Sequence, residues 1–151
     1  MEFEIRRAEE KDIPAITDLE AVCFEGKDPW SYGAFYNEIV ENSDKTLYLV
    51  ALADGKVIGY MGVWMVLDEG QITNVAVSPE YRRRHVAESL IEEMVRRTAE
   101  EGVSCWTLEV RVDNEPAIRL YEKMGFRGEG IRPKYYEYDG TDALIMWKGC
   151  E

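Results

Sequence analysis

The segment VAVSPEYRRRHVA, residues 75–87, decides the fold, because it takes the chain from a strand through a turn into a helix. The alternation of Val75 and Val77 indicates a strand, and Ser78-Pro79 ends it. Beyond the three arginines, apolar residues recur at helical spacing. These residues are Val86, Leu90, Ile91, Met94 and Val95. A helix therefore begins directly behind a basic loop.

The basic loop has the chemistry of a phosphate site. The first turn of a helix carries backbone N–H groups without intrahelical partners and a partial positive charge, so an anion there gains hydrogen bonds and a favourable field. The guanidinium groups of the three arginines suit the same anion. Ala87 is small and lets a ligand approach the backbone closely. An arginine run can equally form a solvated helix face, so the loop alone leaves both interpretations open.

The rest of the chain predicts one α/β domain over residues 1–151, with a mixed sheet and helices on both faces. The predicted order is strand, helix, helix, three strands, helix, strand, helix and two strands. Asp54-Gly55 predicts a hairpin between strands 46–53 and 57–66. A helix between strands 71–77 and 105–112 requires a parallel crossover in an otherwise antiparallel sheet.

Four further elements complete this prediction. The first strand spans residues 3–7, and the first helix carries Ile13, Ile16, Leu19 and Val22 or Cys23 on one apolar stripe. The second helix opens at Pro29-Trp30-Ser31 and carries Phe35 and Ile39; a later helix follows Asn114, and Asp139-Gly140 joins a last hairpin.

Composition indicates an ordinary globular enzyme domain. The 151 residues are 46% apolar and 32% charged. No apolar stretch approaches the roughly 20 residues of a membrane helix, and the acidic N-terminus is unlike a signal peptide, so we expect a cytoplasmic protein without a membrane partner. The cysteines, Cys23, Cys105 and Cys150, are odd in number and lack metal-ligand spacing. We expect free thiols and no metal site.

The net charge of −12 bears on the partners. It argues against non-specific nucleic-acid binding, because the phosphate backbone would be repelled. A cationic substrate would be favoured, although the acidic excess can also serve solubility alone. Against this background the arginine cluster is a local exception, which favours its use for an anionic ligand.

Two motifs resemble the Gcn5-related N-acetyltransferase (GNAT) superfamily. Arg82-x-x-His85-x-Ala87 is similar to the Arg/Gln-x-x-Gly-x-Gly/Ala loop that holds the pyrophosphate of acetyl-CoA in that superfamily. Residues 106–126, WTLEVRVDNEPAIRLYEKMGF, closely resemble the matching segment of the RimI-type ribosomal-protein alanine N-acetyltransferases. The order of elements also resembles the acetyltransferase fold along nearly the whole chain. In that fold the parallel pair of strands splays apart to admit the pantetheine arm.

His85 stands where the superfamily usually has glycine. A side chain is tolerated there if the backbone φ is already helical, and it is strained if φ is positive. We predict a negative φ at His85, with the imidazole pointing outward or toward phosphate.

The resemblance implies a set of site residues. Glu109 would be the general base, and Tyr121 the general acid. Backbone groups of residues 75–77 would pair with the pantetheine amides, and one of their N–H groups would stabilise the oxyanion. The implied cofactor-binding residues are Val75, Ala76, Val77, Arg82, Arg83, Arg84, His85, Val86, Ala87, Glu88 and Asn114; the implied acceptor-binding residues are Trp30, Tyr135 and Tyr136.

The chemistry of acetyl transfer needs the same two kinds of group. An ammonium must lose a proton before it attacks, and the departing thiolate needs one. Strand alternation puts Glu109 on one face with Thr107 and Arg111, where we expect partial burial. Tyr121 carries a phenol that stays protonated at neutral pH. The residues alone also allow a Glu109 salt bridge with Arg111 or across strands, and a core role for Tyr121.

The resemblance implies that the protein transfers an acetyl group from acetyl-CoA to the N-terminal α-amine of a protein. The acceptor that it implies is the N-terminal alanine of a small-subunit ribosomal protein. The transfer would be a direct attack in a ternary complex. The alternatives are a lysine side-chain or small-amine acetyltransferase, or a non-catalytic acyl-CoA-binding regulator.

Overall fold

The computed structural model describes residues 2–82 and 85–149, in which seven strands form one sheet of order β1-β2-β3-β4-β5-β7-β6. The strands are β1 (Glu4–Arg7), β2 (Thr46–Ala53), β3 (Lys56–Val66), β4 (Glu69–Val77), β5 (Cys105–Arg111), β6 (Arg127–Tyr136) and β7 (Thr141–Lys148). The helices are α1 (Ile13–Cys23), α2 (Tyr32–Tyr36), α3 (Val86–Glu100) and α4 (Glu115–Lys123). Short 3-10 turns span Glu10–Asp12 and Pro79–Tyr81, and a π-helical turn spans Asn37–Glu41.

The sheet is mixed, as predicted. The pair β4 and β5 is parallel, and the other neighbouring pairs are antiparallel. The turn between β2 and β3 has positive φ at both Asp54 (51°) and Gly55 (76°), which is the backbone that an Asp-Gly hairpin favours.

Two apolar layers enclose the sheet. On one face α1 and α2 pack against the sheet around the fully buried rings of Phe35 and Tyr60. On the other face α3 contributes Leu90, Ile91 and Met94 to the larger cluster. Within the described residues, no helix is long and apolar enough to cross a membrane.

Three local predictions need correction or completion. The α-helical hydrogen bonding of the second helix ends at Tyr36, and Ile39 lies in the π-helical turn. Cys23, and not the exposed Val22, ends the apolar stripe of α1. Cys23 is a free thiol as predicted. Cys105 is disulfide-bonded, which corrects the expectation of a free thiol there; Cys150 lies outside the described residues.

The parallel pair separates after a short contact. Its register joins Glu69 with Cys105, Gly70 with Trp106, and Gln71 with Thr107. Residues 72–77 of β4 then continue alongside β3 without a registered partner on β5 in the described chain. A gap therefore opens between β4 and β5 toward their C-terminal ends, as the predicted splay requires.

Candidate active site

Strand β4, the turn at Pro79–Tyr81 and helix α3 follow one another in the predicted order, and Arg82 contacts both β4 and α1. Its Nε donates to the carbonyl oxygen of Val77 at 3.2 Å, and its Nη2 lies 3.7 Å from Cys23 Sγ. The end of β4 is thereby tied to the end of α1. Arg83 and Arg84, both predicted to bind the cofactor, lie outside the described residues.

His85 contradicts the prediction of a negative φ. Its φ is 62° and its ψ is 16°, which is the left-handed region. The physical reason is its position: His85 is the N-cap residue of α3, which precedes the helix and therefore need not have helical dihedral angles.

The imidazole of His85 belongs to a small charged network on the surface. Its Nδ1 lies 2.9 Å from Glu88 Oε2, and Lys123 Nζ donates to Glu88 Oε1 at 2.6 Å. The hydrogen bond from Lys123, and then that from His85, lower the pKa of Glu88 from its ordinary value. The network links the first turn of α3 to the last turn of α4.

The start of α3 offers backbone donors. The first intrahelical hydrogen bond runs from the Ser89 N–H to the His85 carbonyl at 3.0 Å. The N–H groups of Val86, Ala87 and Glu88 precede this ladder and are the donors that an anion would use. Val86 buries its side chain in the core, so only its backbone can meet a ligand.

Glu109 lies on β5 with 24% of its side chain exposed, which confirms the predicted partial burial. Its ion-pair partner is Arg132 of β6, whose Nε lies 3.7 Å from Glu109 Oε1. Arg111 does not serve this role, because its guanidinium contacts Asp113 and Asp139. Of the alternatives left open by the sequence, the cross-strand ion pair is the one that forms.

Two predicted acceptor residues lie beside this ion pair. Tyr135 and Tyr136 meet edge to face with their ring centres 5.0 Å apart, and the Arg132 guanidinium lies 5.8 Å from the Tyr135 ring centre. Burial first, and then the charge of Glu109, raise the pKa of Tyr135. Glu109, Arg132, Tyr135 and Tyr136 thus form one group, which we call the Glu109 cluster.

Tyr121 of α4 is half-buried and packs edge to face against Phe126, with ring centres 5.9 Å apart. Burial raises the pKa of Tyr121 to about 12. Within residues 2–82 and 85–149 its hydroxyl has no hydrogen-bond partner. Asn114 caps the same helix, because its Oδ1 accepts the Ala117 N–H at 3.3 Å. Tyr121 therefore packs as predicted for a core tyrosine, while its hydroxyl makes no hydrogen bond within the described residues.

Trp30 lies just before α2 and is not joined to the Glu109 cluster by a ring contact in the described part of the chain. Its ring packs against Phe35 at 5.4 Å between centres. Its backbone N–H donates to Glu20 Oε2 at 2.9 Å. The structure brings Tyr135 and Tyr136 together with Glu109, whereas it holds Trp30 through α1.

Among the buried carboxylates that the sequence did not predict, two contact tyrosine hydroxyls. Glu20 is 3% exposed and contacts the hydroxyl of Tyr60, and Glu38 is 5% exposed and accepts from Tyr48 Oη at 3.0 Å and Trp64 Nε1 at 2.5 Å. Helical spacing carried a signal for the first of them. Glu20 follows Ile16 by four residues and Ile13 by seven, which places it on the apolar stripe of α1.

No group of three histidine, cysteine or carboxylate side chains is arranged to hold a metal ion in the residues that the structure describes. The parts of the candidate site described above are the gap between β4 and β5, the start of α3, the Glu109 cluster and the phenol of Tyr121.

Comparison with known proteins identifies relatives along almost the whole chain. The family model described as "Acetyltransferase (GNAT) family" matches residues 13–126. A Bacillus subtilis protein, named provisionally as a ribosomal protein bS18-alanine N-acetyltransferase, is 43% identical over 143 residues, which are 95% of this chain and 93% of the relative. The ribosomal protein bS18-alanine N-acetyltransferase of Escherichia coli is 35% identical over 146 residues, covering 94% of each chain.

Solved structures agree with these relatives. The crystal structure of the ribosomal-protein-S18-alanine N-acetyltransferase from Escherichia coli superposes with a TM-score of 0.88 at 33% identity, covering 98% of this chain and 94% of that one. The PaiA N-acetyltransferase from Thermoplasma acidophilum, solved in complex with coenzyme A, has the same fold, with a TM-score of 0.83 at 23% identity over 99% of each chain.

Proposed function

Because the chain belongs to the GNAT acetyltransferase family, we propose that it transfers the acetyl group of acetyl-CoA to the N-terminal α-amine of a protein. The proposed acceptor is the N-terminal alanine of a small-subunit ribosomal protein, bS18, which the names of the Bacillus subtilis and Escherichia coli relatives specify. The observation that carries the proposal is the gap between β4 and β5 with Glu109 on the strand that borders it.

The residues around the gap fit acetyl-CoA. The edge of residues 72–77 that faces β5 leaves backbone groups available to the amides of a pantetheine arm, as an added strand would use them. The start of α3 supplies N–H donors for the pyrophosphate, and Arg82 lies beside it with an exposed side chain. We assign Val75, Ala76, Val77, Arg82, Arg83, Arg84, His85, Val86, Ala87, Glu88 and Asn114 to this cofactor site.

We assign the chemistry to Glu109 and Tyr121. Glu109, directly or through water, removes a proton from the substrate ammonium, and the amine lone pair then attacks the thioester carbonyl. A backbone N–H of β4 stabilises the oxyanion that forms. Tyr121 gives its proton to the departing sulfur; burial keeps its pKa at about 12, so the phenol holds that proton at neutral pH. Attack forms the C–N bond and a tetrahedral intermediate, whose collapse breaks the C–S bond. The second proton of the nitrogen then passes through water to restore the Tyr121 phenol, and Glu109 returns its proton to solvent.

The acceptor side of the site is assigned to Trp30, Tyr135 and Tyr136. The two tyrosines lie at the Glu109 cluster, where their rings can pack against the first residues of a peptide. We also propose that residues 1–151 form one catalytic domain, since all seven strands share one sheet, and that the enzyme works in the cytoplasm, where ribosomal proteins are made.

Release of free thiol from acetyl-CoA, followed by mass mapping of the product, tests the proposal. The acceptors are peptides with free N-terminal alanine, serine or methionine, and matched N-blocked peptides that carry an internal lysine. We expect release with free termini, strongest with alanine. Labelling of the lysine peptides would instead make the protein a side-chain acetyltransferase. Tight binding of acetyl-CoA without release would favour a small-amine enzyme or a non-catalytic regulator.

A further inference from the structure

Glu20 collects hydrogen bonds from three separate parts of the fold. Its Oε2 accepts the backbone N–H of Trp30 at 2.9 Å. Its Oε1 accepts the hydroxyl of Tyr60, on β3, and Nδ2 of Asn74, on β4, at 3.4 Å. One side chain of α1 therefore joins two central strands and the segment that leads into α2.

All three partners are donors. Burial first, and then the adjacent Glu20 carboxylate, raise the pKa of Tyr60, so its phenol keeps its proton and donates it. The amide of Asn74 turns its N–H toward the carboxylate, and its Oδ1 is buried without a hydrogen-bond partner in the described residues. The two carboxylate oxygens of Glu20 accept all three donors, whereas a glutamine offers one accepting oxygen and places an N–H2 group at the other position.

The contact also joins the backbone of the segment between α1 and α2 to the core, in addition to the packing of the Phe24 and Trp30 rings. Residues 24–31 contain two residues with positive φ, Gly26 (76°) and Asp28 (57°). The Lys27 N–H donates to the Phe24 carbonyl at 2.9 Å, which is a local hydrogen bond within the turn. The bond from Trp30 to Glu20 spans ten residues and fixes the segment to the sheet.

The strand end of the contact lies at the gap. Asn74 belongs to the part of β4 that has left β5, since the parallel register ends at Gln71. Glu20 therefore sets the separation between the open part of β4 and Trp30.

We propose that Glu20 is a positioning residue, which holds residues 24–31 and Trp30 in the conformation that binds the acceptor. This inference rests on the proposed function, because it assigns Trp30 to the acceptor side. Glu20 itself is 97% buried, at 3% exposure, and acts through the backbone that it holds.

Glu38 provides a matched control. It is also a buried glutamate, 5% exposed, and it accepts hydrogen bonds from a tyrosine and a tryptophan side chain, Tyr48 and Trp64. Within the part of the chain that the structure describes, its carboxylate makes no hydrogen bond to residues 24–31. Glu38→Gln should therefore disturb the core to a similar degree without releasing Trp30.

The experiment compares Glu20→Gln with Glu38→Gln in the full chain. Urea midpoints measure the stability of both variants, and amide hydrogen exchange measures the protection of the Trp30 N–H. Steady-state kinetics with an alanine-terminated peptide give KM and kcat, and titration gives the Kd for acetyl-CoA. Glu20→Asp, which keeps the charge but shortens the reach, is the second variant in case Glu20→Gln does not fold.

We expect Trp30 protection to fall and the peptide KM to rise, each about tenfold or more, in the Glu20 variants, as the loss of one buried hydrogen bond implies. The Kd for acetyl-CoA should stay within about twofold, and Glu38→Gln should leave both Trp30 protection and KM near the wild-type values. Unchanged Trp30 protection in the Glu20 variants would overturn the positioning role of Glu20. Lost protection with an unchanged KM would overturn its acceptor role. Failure of the proposed function is separate, since wild-type protein would then acetylate no free terminus.

Discussion

Replacing His85 by glycine and by alanine tests the left-handed backbone at the start of α3. Both substitutions remove the imidazole and its 2.9 Å contact with Glu88, so their difference isolates the backbone. At a φ of 62°, a residue with a Cβ carries a cost of about 1–2 kcal/mol. Glycine avoids this cost but loses about 0.5–1 kcal/mol more chain entropy on folding. The glycine variant should therefore be more stable than the alanine variant by about 0.5–1 kcal/mol.

The sign of the stability difference between the two variants distinguishes a left-handed from a helical backbone at His85. If the residue were helical, alanine would be the more stable by about 0.5–1 kcal/mol, because only the entropy difference would remain. The free energy of unfolding is measured by urea titration with matched m-values. For a chain of this size, 1 kcal/mol corresponds to roughly 2–4 °C in Tm. An alanine variant as stable as the glycine variant, or more so, would refute the left-handed assignment.

Three further predictions concern the core and the chemistry. Gly62→Ala should lower the free energy of unfolding, measured by urea titration, by about 1–3 kcal/mol, because the added methyl group would overlap the buried ring of Tyr48. Gly33→Ala is the control and should not lower it, because the nearest atom to the added methyl group is 3.8 Å away. Glu109→Gln should lower kcat by about 10²–10⁴ at low pH, where the amine is protonated, and by less at high pH, with the Kd for acetyl-CoA intact; an unchanged pH profile of kcat would remove Glu109 from the role. Tyr121→Phe should lower kcat at an unchanged acceptor KM, and a defect confined to KM would contradict its role as the acid.

Local sequence patterns predicted those parts of the fold that neighbouring residues determine. Asp54-Gly55 specified its hairpin, because both turn residues tolerate the positive φ that joins β2 to β3. The helix between β4 and β5 specified the parallel pair, because a chain cannot otherwise return in the same direction. The left-handed backbone at His85 was not predicted, because helical periodicity locates the start of α3 but does not determine the dihedral angles of the N-cap residue before it.

The buried carboxylates show why the site was only partly predictable. A glutamate on a helix is usually exposed, and the partners that make burial of Glu20 favourable are Tyr60 and Asn74, which are 40 and 54 residues away. The ion pair of Glu109 with Arg132 likewise crosses between strands that are distant in sequence. Periodicity indicates that a position faces the core, but it does not indicate which hydrogen-bond donors lie next to it.

The short register between β4 and β5 has a consequence for cooperativity. Strands β1 to β4 pair as consecutive antiparallel neighbours, and β5, β7 and β6 form a second antiparallel set in that order. In the described residues, three residue pairs between β4 and β5 join the two sets in the sheet. We expect each set to open as its own unit in the free protein, with the weakest amide protection along the seam. A ligand lying in the seam would bridge both units and raise their stability together by mass action. Substrate occupancy would then govern whether this chain melts in one step or two.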